Sequence, residues 1–274
     1  MTRNELKQLM EQLGIAPNKK LGQNFLVDEQ FIQLILREAN PQPGENILEI
    51  GPGFGAITRG LVSSGANVTA IEFDRKLGEY LMNAVVPLGV NLIQADACKV
   101  DYAKLFQGKE FRLVSNLPYS AGSVILAKLL DLETLPTSMF LMLQKEVVER
   151  LIAKPGSDDY ASLSIRVGAS YQGYIVRNVP PEVFFPVPGV DSTLLFLKRK
   201  KEVPAWQTRQ VLSRLTKAAF AHRRKKMFRQ IAALYGDEPV RHAMSVAEVD
   251  PDIRAERVTV PQFIRMAEEL GGLS

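Results

Sequence analysis

Hydrophobic positions follow two alternating patterns over the first two thirds of this 274-residue chain. Short runs rich in aliphatic and β-branched residues predict five strands, at 46–50, 67–72, 90–94, 111–115 and 138–143. Between them, apolar residues with helical spacing predict helices at 56–63, 76–85, 123–130 and 145–153. Strands and helices that alternate in this way are typical of an α/β fold with a parallel, doubly wound sheet.

Two later segments alternate with period two: SLSIRVGASYQ (162–172) and STLLFLKRK (192–200), separated by the proline-rich VPPEVFFPVPGVD. They predict antiparallel strands that complete the same sheet. The composition changes at 198–204, and the pattern beyond it is helical. We therefore predict a Rossmann-like domain with an N-terminal helical extension (residues 1–200) and a small all-helical domain for substrate binding (residues 201–274).

The N-terminal sequence MTRNELKQLMEQLG has amphipathic helical spacing. Leu6, Leu9, Met10 and Leu13 would share one face, and Gly14 would end the helix. The segment lacks the apolar core of a signal peptide, and no apolar stretch approaches the roughly 18–20 residues of a membrane span. We expect a protein that does not bind a membrane, and the single cysteine, Cys98, favours a reducing cytoplasm.

Composition narrows the possible chemistry. Hydrophobic residues make up 46% of the chain and charged residues 23%, which favours a folded protein with a substantial core. A single cysteine, Cys98, excludes an intrachain disulfide and a cysteine-based zinc site. We expect neither His222 nor His242 to have a partner in metal binding. We expect no metal site.

Positive charge is concentrated in one part of the chain. The net charge is only +4, but residues 198–229 contain twelve Lys or Arg residues and one acid, Glu202. Such a density of like charge is typical of a surface that binds a phosphate backbone, although a merely solvated helix face is the alternative. The block AHRRKKMFRQ predicts the main RNA-binding residues: Arg223, Arg224, Lys225 and Lys226.

A glycine-rich turn follows the first predicted strand of the sheet, in EIGPGFGAIT (49–58). Gly51 and Gly53 would let a ligand approach the backbone, but such a turn alone fits a dinucleotide, an adenosyl ligand or simply a cramped loop. Glu72, 21 residues after Gly51, is placed to accept hydrogen bonds from a ribose, and Asp96 from an adenine amino group. These residues predict an adenosine-containing cofactor without separating NAD from S-adenosylmethionine.

The sequence NLPY, which follows the fourth strand of the sheet, separates the two cofactors. The Asn116 side-chain oxygen and the Leu117 carbonyl could accept the two N–H groups of an adenine amine and direct its nitrogen at a methyl sulfonium. Pro118 would hold the turn, and Tyr119 would stack on an extruded base, an interaction of about 1–3 kcal/mol. We therefore predict S-adenosylmethionine as the cofactor and an adenine N6 amine as the methyl acceptor.

Several motifs together resemble the ribosomal RNA adenine dimethylases, and within that family most closely the bacterial small-subunit members. They are KKLGQNFLVD (19–28), EIGPGFGAIT, IEFD, ADA, NLPYS, QKEVVERL, VDST and AFAHRRKK. The resemblance spans nearly the whole chain, and the combination of GQNFL with NLPY is specific. It implies an S-adenosylmethionine pocket formed by Asn24, Leu26, Gly51, Gly53, Glu72, Asp96 and Asn116. It also implies that Phe184, in an F-x-P-x-P motif, holds the target base against Tyr119.

The same resemblance implies an activity and partners. The expected reaction is two successive methylations of each of two adjacent adenosines in the hairpin near the 3′ end of small-subunit rRNA. The substrate would be small-subunit rRNA within an immature 30S subunit, and we expect the protein to act as a monomer.

Two departures from the family pattern concern the RNA-facing part. Gly189 stands where the family usually has a lysine after the second proline of F-x-P-x-P, so one phosphate contact would be missing. The basic run RRKK is followed by MFRQ, whereas the family pattern has threonine-leucine after the basic run.

Three other functions remain open from the sequence. The large-subunit rRNA adenine methylases that confer macrolide resistance share the core chemistry. The protein could instead act chiefly as an assembly checkpoint that binds immature small subunits. A DNA adenine methylase is the third alternative, although no DNA-reading module is recognisable.

Overall fold

The computed structural model describes residues 1–18, 21–222 and 225–272, and within those ranges it contains nine strands and twelve α-helices. The strands are β1 (Phe25–Leu26), β2 (Asn46–Ile50), β3 (Asn67–Glu72), β4 (Asn91–Gln94), β5 (Arg112–Asn116), β6 (Ser138–Gln144), β7 (Tyr171–Val179), β8 (Phe184–Phe185) and β9 (Ser192–Arg199). The helices are α1 (Arg3–Leu13), α2 (Glu29–Ala39), α3 (Ala56–Ser63), α4 (Arg75–Ala84), α5 (Tyr102–Phe106), α6 (Gly122–Leu130), α7 (Lys145–Leu151), α8 (Ser162–Ser170), α9 (Trp206–Ala219), α10 (Phe228–Tyr235), α11 (Asp237–Val246) and α12 (Val260–Gly271). The predicted α/β class is confirmed.

Seven strands form one sheet in the order β4-β3-β2-β5-β6-β9-β7. β2 lies parallel to β3 and to β5, and the pairs β3–β4 and β5–β6 are also parallel. The chain therefore leaves β2 in one direction to build β3 and β4, and later returns to its other side to build β5. Ligands bind at such a reversal of strand order, beyond the carboxyl ends of the strands.

The central strands are apolar because both of their faces are covered. Leu48, Leu113 and Leu141, on β2, β5 and β6, have no exposed surface, and burial of each such side chain stabilises the fold by about 1.5–3 kcal/mol. On one face, α2 and α3 pack closely because Gly60 has no side chain: a Cβ there would lie 2.1 Å from Leu36 Cδ1. The tight packing holds α3, and with it the loop that follows β2, against the sheet.

The predicted N-terminal helix is confirmed as α1. Thr2 caps it by accepting a hydrogen bond from the Glu5 amide, and Gly14 ends it with φ of 61°. Leu6 and Met10 are buried in a cluster that includes Phe25, so α1 covers the short strand β1.

One predicted strand is wrong: residues 162–170 form the helix α8, and the strand begins only at Tyr171. The period-two pattern wrongly predicted a strand. Apolar residues do not follow helical spacing in α8 because the helix is buried on most of its sides, with Ile165, Val167 and Ala169 in the interior. The Ala161 amide donates to Ser164 Oγ (3.0 Å), which starts the helix. The predicted place of β7 and β9 in the same sheet is confirmed, and their antiparallel direction stays a prediction.

The chain divides into two compact units. The first consists of Met1–Leu129, Thr134–Lys145 and Tyr174–Leu197, and the second of Leu130–Glu133, Glu146–Gly173 and Lys198–Ser274. Within the second unit, the buried guanidinium of Arg209 donates to the carbonyls of Leu130, Leu132 and Glu133, which attaches that short segment to α9. The domain boundary predicted after residue 200 stays a prediction.

Two kinds of feature are absent from the described ranges. No helix there combines the length and the apolar character needed to cross a bilayer. Those residues also contain no group of three or more His, Cys, Asp and Glu side chains that could hold a metal ion.

Candidate active site

A cavity opens at the carboxyl ends of β2, β3, β4 and β5, within the first unit. All seven residues predicted to bind the cofactor line it, as do Leu117, Pro118 and Tyr119. Parallel strands bring together those from β2 to β5 and the loops after them, because side chains that follow neighbouring strands meet at one edge of the sheet. Asn24 and Leu26 come instead from the short strand β1 and the residue before it.

The loop between β2 and α3 needs its glycines. Gly51, Gly53 and Gly55 have φ of 70°, 59° and 77°, a region that other residues rarely adopt. A Cβ on Gly53 would also lie 2.9 Å from Phe25 Cδ1. At Gly51 and Gly53 the loop consequently presents backbone to the cavity.

Glu72 ends β3 with its carboxylate in the cavity wall and only 5% of its surface exposed. Its two oxygens accept hydrogen bonds from the amides of Asp74 (2.8 Å) and Gly53 (3.3 Å). Burial raises the pKa of Glu72 to about 7, and the backbone hydrogen bonds oppose that shift. The carboxylate is thus held in place by the glycine loop and by the start of α4.

Glu49 is a cavity residue to which sequence reasoning gave no role. It is 2% exposed, and its Oε2 has no hydrogen-bond partner among the described residues. Burial, and secondly the nearby charge of Glu72, raise the pKa of Glu49 to about 8. The sequence does mark this residue, because Glu49 is the one charged residue in the strand NILEI and stands between the apolar Leu48 and Ile50. A cation in the cavity would favour the ionised form of this carboxyl.

Asp96 lies in the loop that follows β4, and the backbone of that loop fixes its carboxylate. Its Oδ1 accepts a hydrogen bond from the Cys98 amide (2.9 Å), and its Oδ2 lies 3.7 Å from the exposed Lys99 ammonium. The carboxylate is held in this way, and Asp96 lines the cavity.

Asn116 ends β5 and links two of the sequence motifs. Its Nδ2 donates to the Asn24 carbonyl (3.2 Å), which orients the amide. Its Oδ1 is buried and has no partner among the described residues. Because an unpaired buried acceptor costs about 1–3 kcal/mol, this oxygen is suited to accept a hydrogen bond from a bound ligand.

The turn after Asn116 orients Tyr119. The Pro118 carbonyl accepts from the amides of Ala121 and Gly122, so the turn leads directly into α6. The Tyr119 hydroxyl is hydrogen-bonded to Ser192 Oγ, a contact that the sequence did not predict. Burial raises the pKa of Tyr119, so the phenol stays protonated at neutral pH.

The GQNFL and F-x-P-x-P motifs meet in a two-stranded antiparallel sheet. Phe25 pairs with Phe185 and Leu26 with Phe184. Phe184 has no exposed surface and does not line the cavity. Its side chain packs in the core, and its contact with a target base stays a prediction.

Two of the four predicted RNA-binding residues, Arg223 and Arg224, lie outside the described residues. Lys225 and Lys226 are exposed in the second unit. The Lys226 ammonium lies 2.7 Å from Asp252 Oδ1, whereas Lys225 has no carboxylate partner within the described ranges.

Comparison with known proteins agrees with this geometry. A family model described as ribosomal RNA adenine dimethylase matches residues 15–271. Proteins named ribosomal RNA small subunit methyltransferase A are similar to the chain. The protein from Ligilactobacillus salivarius is 37% identical over 96% of this chain and 93% of its own length. The one from Xanthomonas axonopodis pv. citri is 40% identical over 92% and 96%.

Solved structures show the same fold. A dimethyladenosine transferase from Plasmodium falciparum superposes with a TM-score of 0.69 at 21% identity, covering 88% of this chain and 95% of that one. The 23S rRNA methyltransferase ErmE gives a TM-score of 0.63 at 24% identity, covering 90% and 99%.

Proposed function

The chain belongs to the ribosomal RNA adenine dimethylase family, and on that premise we propose that it dimethylates small-subunit rRNA. Its methyl donor is S-adenosylmethionine, and the proposed acceptors are the N6 amines of two adjacent adenosines in the 3′-terminal hairpin. Relatives 36–40% identical over more than nine tenths of the chain carry the name small subunit methyltransferase, which supports this substrate over large-subunit rRNA.

The cavity fits an adenosyl cofactor. The Glu72 carboxylate is the acceptor that ribose hydroxyls require, and Asp96 is an acceptor for the adenine amine. The glycine loop admits the cofactor close to the backbone, and Asn24 and Leu26 close the cavity from the β1 side. Glu49, whose Oε2 is unpaired among the described residues, fits the ammonium of the methionine part. When bound, S-adenosylmethionine supplies a methyl group activated by its sulfonium.

The observation that carries the proposal is the unpaired Oδ1 of Asn116 at the cavity wall. An adenine amine is a weak nucleophile because its lone pair is delocalised into the ring. Asn116 Oδ1 and the Leu117 carbonyl would accept its two N–H groups and keep electron density on the nitrogen. Since Asn24 fixes the amide of Asn116, the oxygen is oriented before the base arrives, and this preorganisation lowers the barrier.

Tyr119 would contact the target adenine and would not take part in proton transfer. Its ring would stack on the extruded adenine, and its protonated phenol cannot act as a base at neutral pH. The reaction needs no general base, because the N-methylated product cation is acidic enough to lose its proton to water. Ser192 holds the ring through the hydroxyl.

RNA binding is assigned to the basic helical region, residues 201–274, with Arg223, Arg224, Lys225 and Lys226 as its proposed centre. Gly189, the position without the family's lysine, has no neighbouring atom within 4 Å of where its Cβ would stand. We further propose that the protein works in the cytoplasm as a monomer, which light scattering would test.

The direct test is incubation of the protein and labelled S-adenosylmethionine with undermethylated small subunits and, separately, with large-subunit RNA and duplex DNA. Mass spectrometry of the nucleosides should find dimethyladenosine in the small-subunit sample alone. Label in large-subunit RNA alone would move the protein to the macrolide-resistance branch. Label in DNA alone would make it a DNA methylase.

The checkpoint role is tested separately with Glu72→Ala, a lesion of the cofactor site. A protein that acts chiefly as a checkpoint would still bind immature subunits but would not leave them. Normal release without methylation would exclude that role.

A further inference from the structure

The loop that carries Asp96 is held by a lysine from another element. The loop, residues 95–100, folds back on itself: the amides of Lys99 and Val100 both donate to the Asp96 carbonyl. Lys128, in the second turn of α6, donates to the carbonyls of Cys98 (2.9 Å) and Val100 (3.0 Å). Its ammonium also lies 5.9 Å from the centre of the Tyr102 ring, a cation–π contact.

Lys128 is connected to the Asp96 carboxylate through a single residue, Cys98. The amide of Cys98 is the donor that fixes Asp96 Oδ1, and the carbonyl of Cys98 is an acceptor for Lys128. On the other side of the loop, the buried Tyr102 hydroxyl donates to the Ala97 carbonyl (2.8 Å). A shift of Cys98 would therefore move Asp96 Oδ1 directly.

Helix α6 is also the continuation of the catalytic turn. Its first amides bond to the carbonyls of Pro118 and Ala121, and Lys128 lies on the same helix. One helix thus sets the position of the Asn116–Tyr119 turn at its start and of the Asp96 loop near its end.

We propose that Lys128 is a positioning residue that determines selectivity for the adenine base of the cofactor. By fixing Cys98, it keeps the Asp96 carboxylate where it accepts from the exocyclic amine and rejects a base with a carbonyl oxygen there. The inference rests on the proposed cofactor site, and it is independent of the RNA substrate.

The test measures a ratio of affinities. Binding of S-adenosylhomocysteine and of S-inosylhomocysteine, in which a carbonyl replaces the adenine amine, is compared by calorimetry. We expect the native protein to prefer the adenine compound by about 100-fold. Lys128→Met keeps an unbranched side chain but removes the donor, and should reduce this preference roughly three- to tenfold. A general loss of stability would weaken both compounds alike and leave the ratio unchanged.

Three further variants separate positioning from other effects. Lys128→Arg keeps a donor and should retain most of the preference. Lys104→Met is the matched control, because that lysine on α5 is 87% exposed and its one ion pair with a described residue is to Asp101. In an Asp96→Asn background, Lys128→Met should change the ratio by less than about twofold, since both substitutions act on one contact.

The outcomes distinguish this inference from the proposed function. An unchanged ratio in Lys128→Met, or full additivity with Asp96→Asn, would overturn the role of Lys128 alone. A native protein that binds neither compound would instead overturn the cofactor site.

Discussion

The cavity contains the two buried glutamates Glu49 and Glu72 and the half-buried Asp96, whereas the described charged side chains between residues 198 and 229 are numerous and mostly exposed. Glu49 and Glu72 are 2% and 5% exposed, and Glu72 is oriented by two backbone amides. Lys217, Lys225 and Arg229 are exposed and have no carboxylate partner within the described ranges. The buried carboxylates are therefore suited to contact particular ligand atoms, and the exposed basic residues to the role proposed for them, binding of a phosphate backbone.

The physical difference lies in screening. A buried charge interacts strongly, and its pKa shifts because water no longer solvates it. An exposed charge is screened within about 8–10 Å at physiological salt, and it contributes mainly through counterion release. Substitutions in the two regions should therefore differ in both size and salt dependence.

The largest effect is expected for Asn116→Ala. Loss of the acceptor for the substrate amine should lower kcat by about 10²–10³-fold. Affinity for S-adenosylmethionine should change by about 1 kcal/mol or less, the worth of one ordinary hydrogen bond. Single-turnover kinetics and calorimetry measure the two quantities. Asn83→Ala, on the exposed side of α4, is the control. Equal losses in rate and in cofactor affinity would contradict this division.

Glu72→Ala should act on the cofactor itself. Hydrogen bonds to a charged acceptor are worth about 1.5–3 kcal/mol, so the Kd for S-adenosylmethionine should rise roughly tenfold to a hundredfold. Calorimetry gives the value, and Glu79→Ala, an exposed glutamate on α4, should leave it unchanged. A native Kd in Glu72→Ala would remove this residue from the cofactor site.

Lys225→Gln should have a smaller effect, and one that depends on salt. Removal of one phosphate contact should reduce the slope of log K against log salt by about 0.7–0.9 and weaken RNA binding a few-fold. Lys109→Gln, an exposed lysine in the first unit, is the matched control. Binding titrations at several salt concentrations measure this slope. An unchanged slope would show that Lys225 does not contact the RNA. Reversal of charge at both Lys225 and Lys226 should enlarge the effect.

The last prediction is on a different quantity, the dependence of stability on pH. The pKa of Glu49 is raised from 4.5 to about 8 in the folded protein, so the folded state binds more protons than the unfolded state between these values. The free energy of unfolding of the cofactor-free protein should therefore be highest at the acid end of this window and fall as the pH rises through it.

Glu49→Gln should flatten that dependence, measured as the thermal midpoint from pH 5 to pH 8. Glu11→Gln, on the exposed face of α1, should reproduce the native curve. The same pH dependence in Glu49→Gln and in the native protein would show that Glu49 does not titrate in this range.

Much of the active site follows from local sequence. Polar residues directly after apolar strands predicted that Glu72, Asp96 and Asn116 share one edge of the sheet, because parallel strands end at the same side. The glycines after β2 predicted a tight turn, and their positive φ values agree. The NLPY and GQNFL motifs predicted the two remaining walls of the cavity.

Other features required the folded chain, because they depend on contacts between residues far apart in sequence. The sequence pattern at 162–170 predicts a strand, and only the folded structure shows a helix that is buried on most sides. Phe184 carries the expected motif, yet its pairing with Leu26 buries the ring in the core.

The sequence by itself determined the α/β fold, the strand ends that build the cavity, and the residue types that an adenine N6 methylation needs. These are consequences of periodicity and of chemistry within a few residues. Only the tertiary structure decided that Glu49 is a buried carboxyl with an unpaired oxygen, that Ser192 holds Tyr119, and that Lys128 fixes the Asp96 loop. Burial and long-range hydrogen bonds arise when distant segments pack together, and no local pattern records which segments those are.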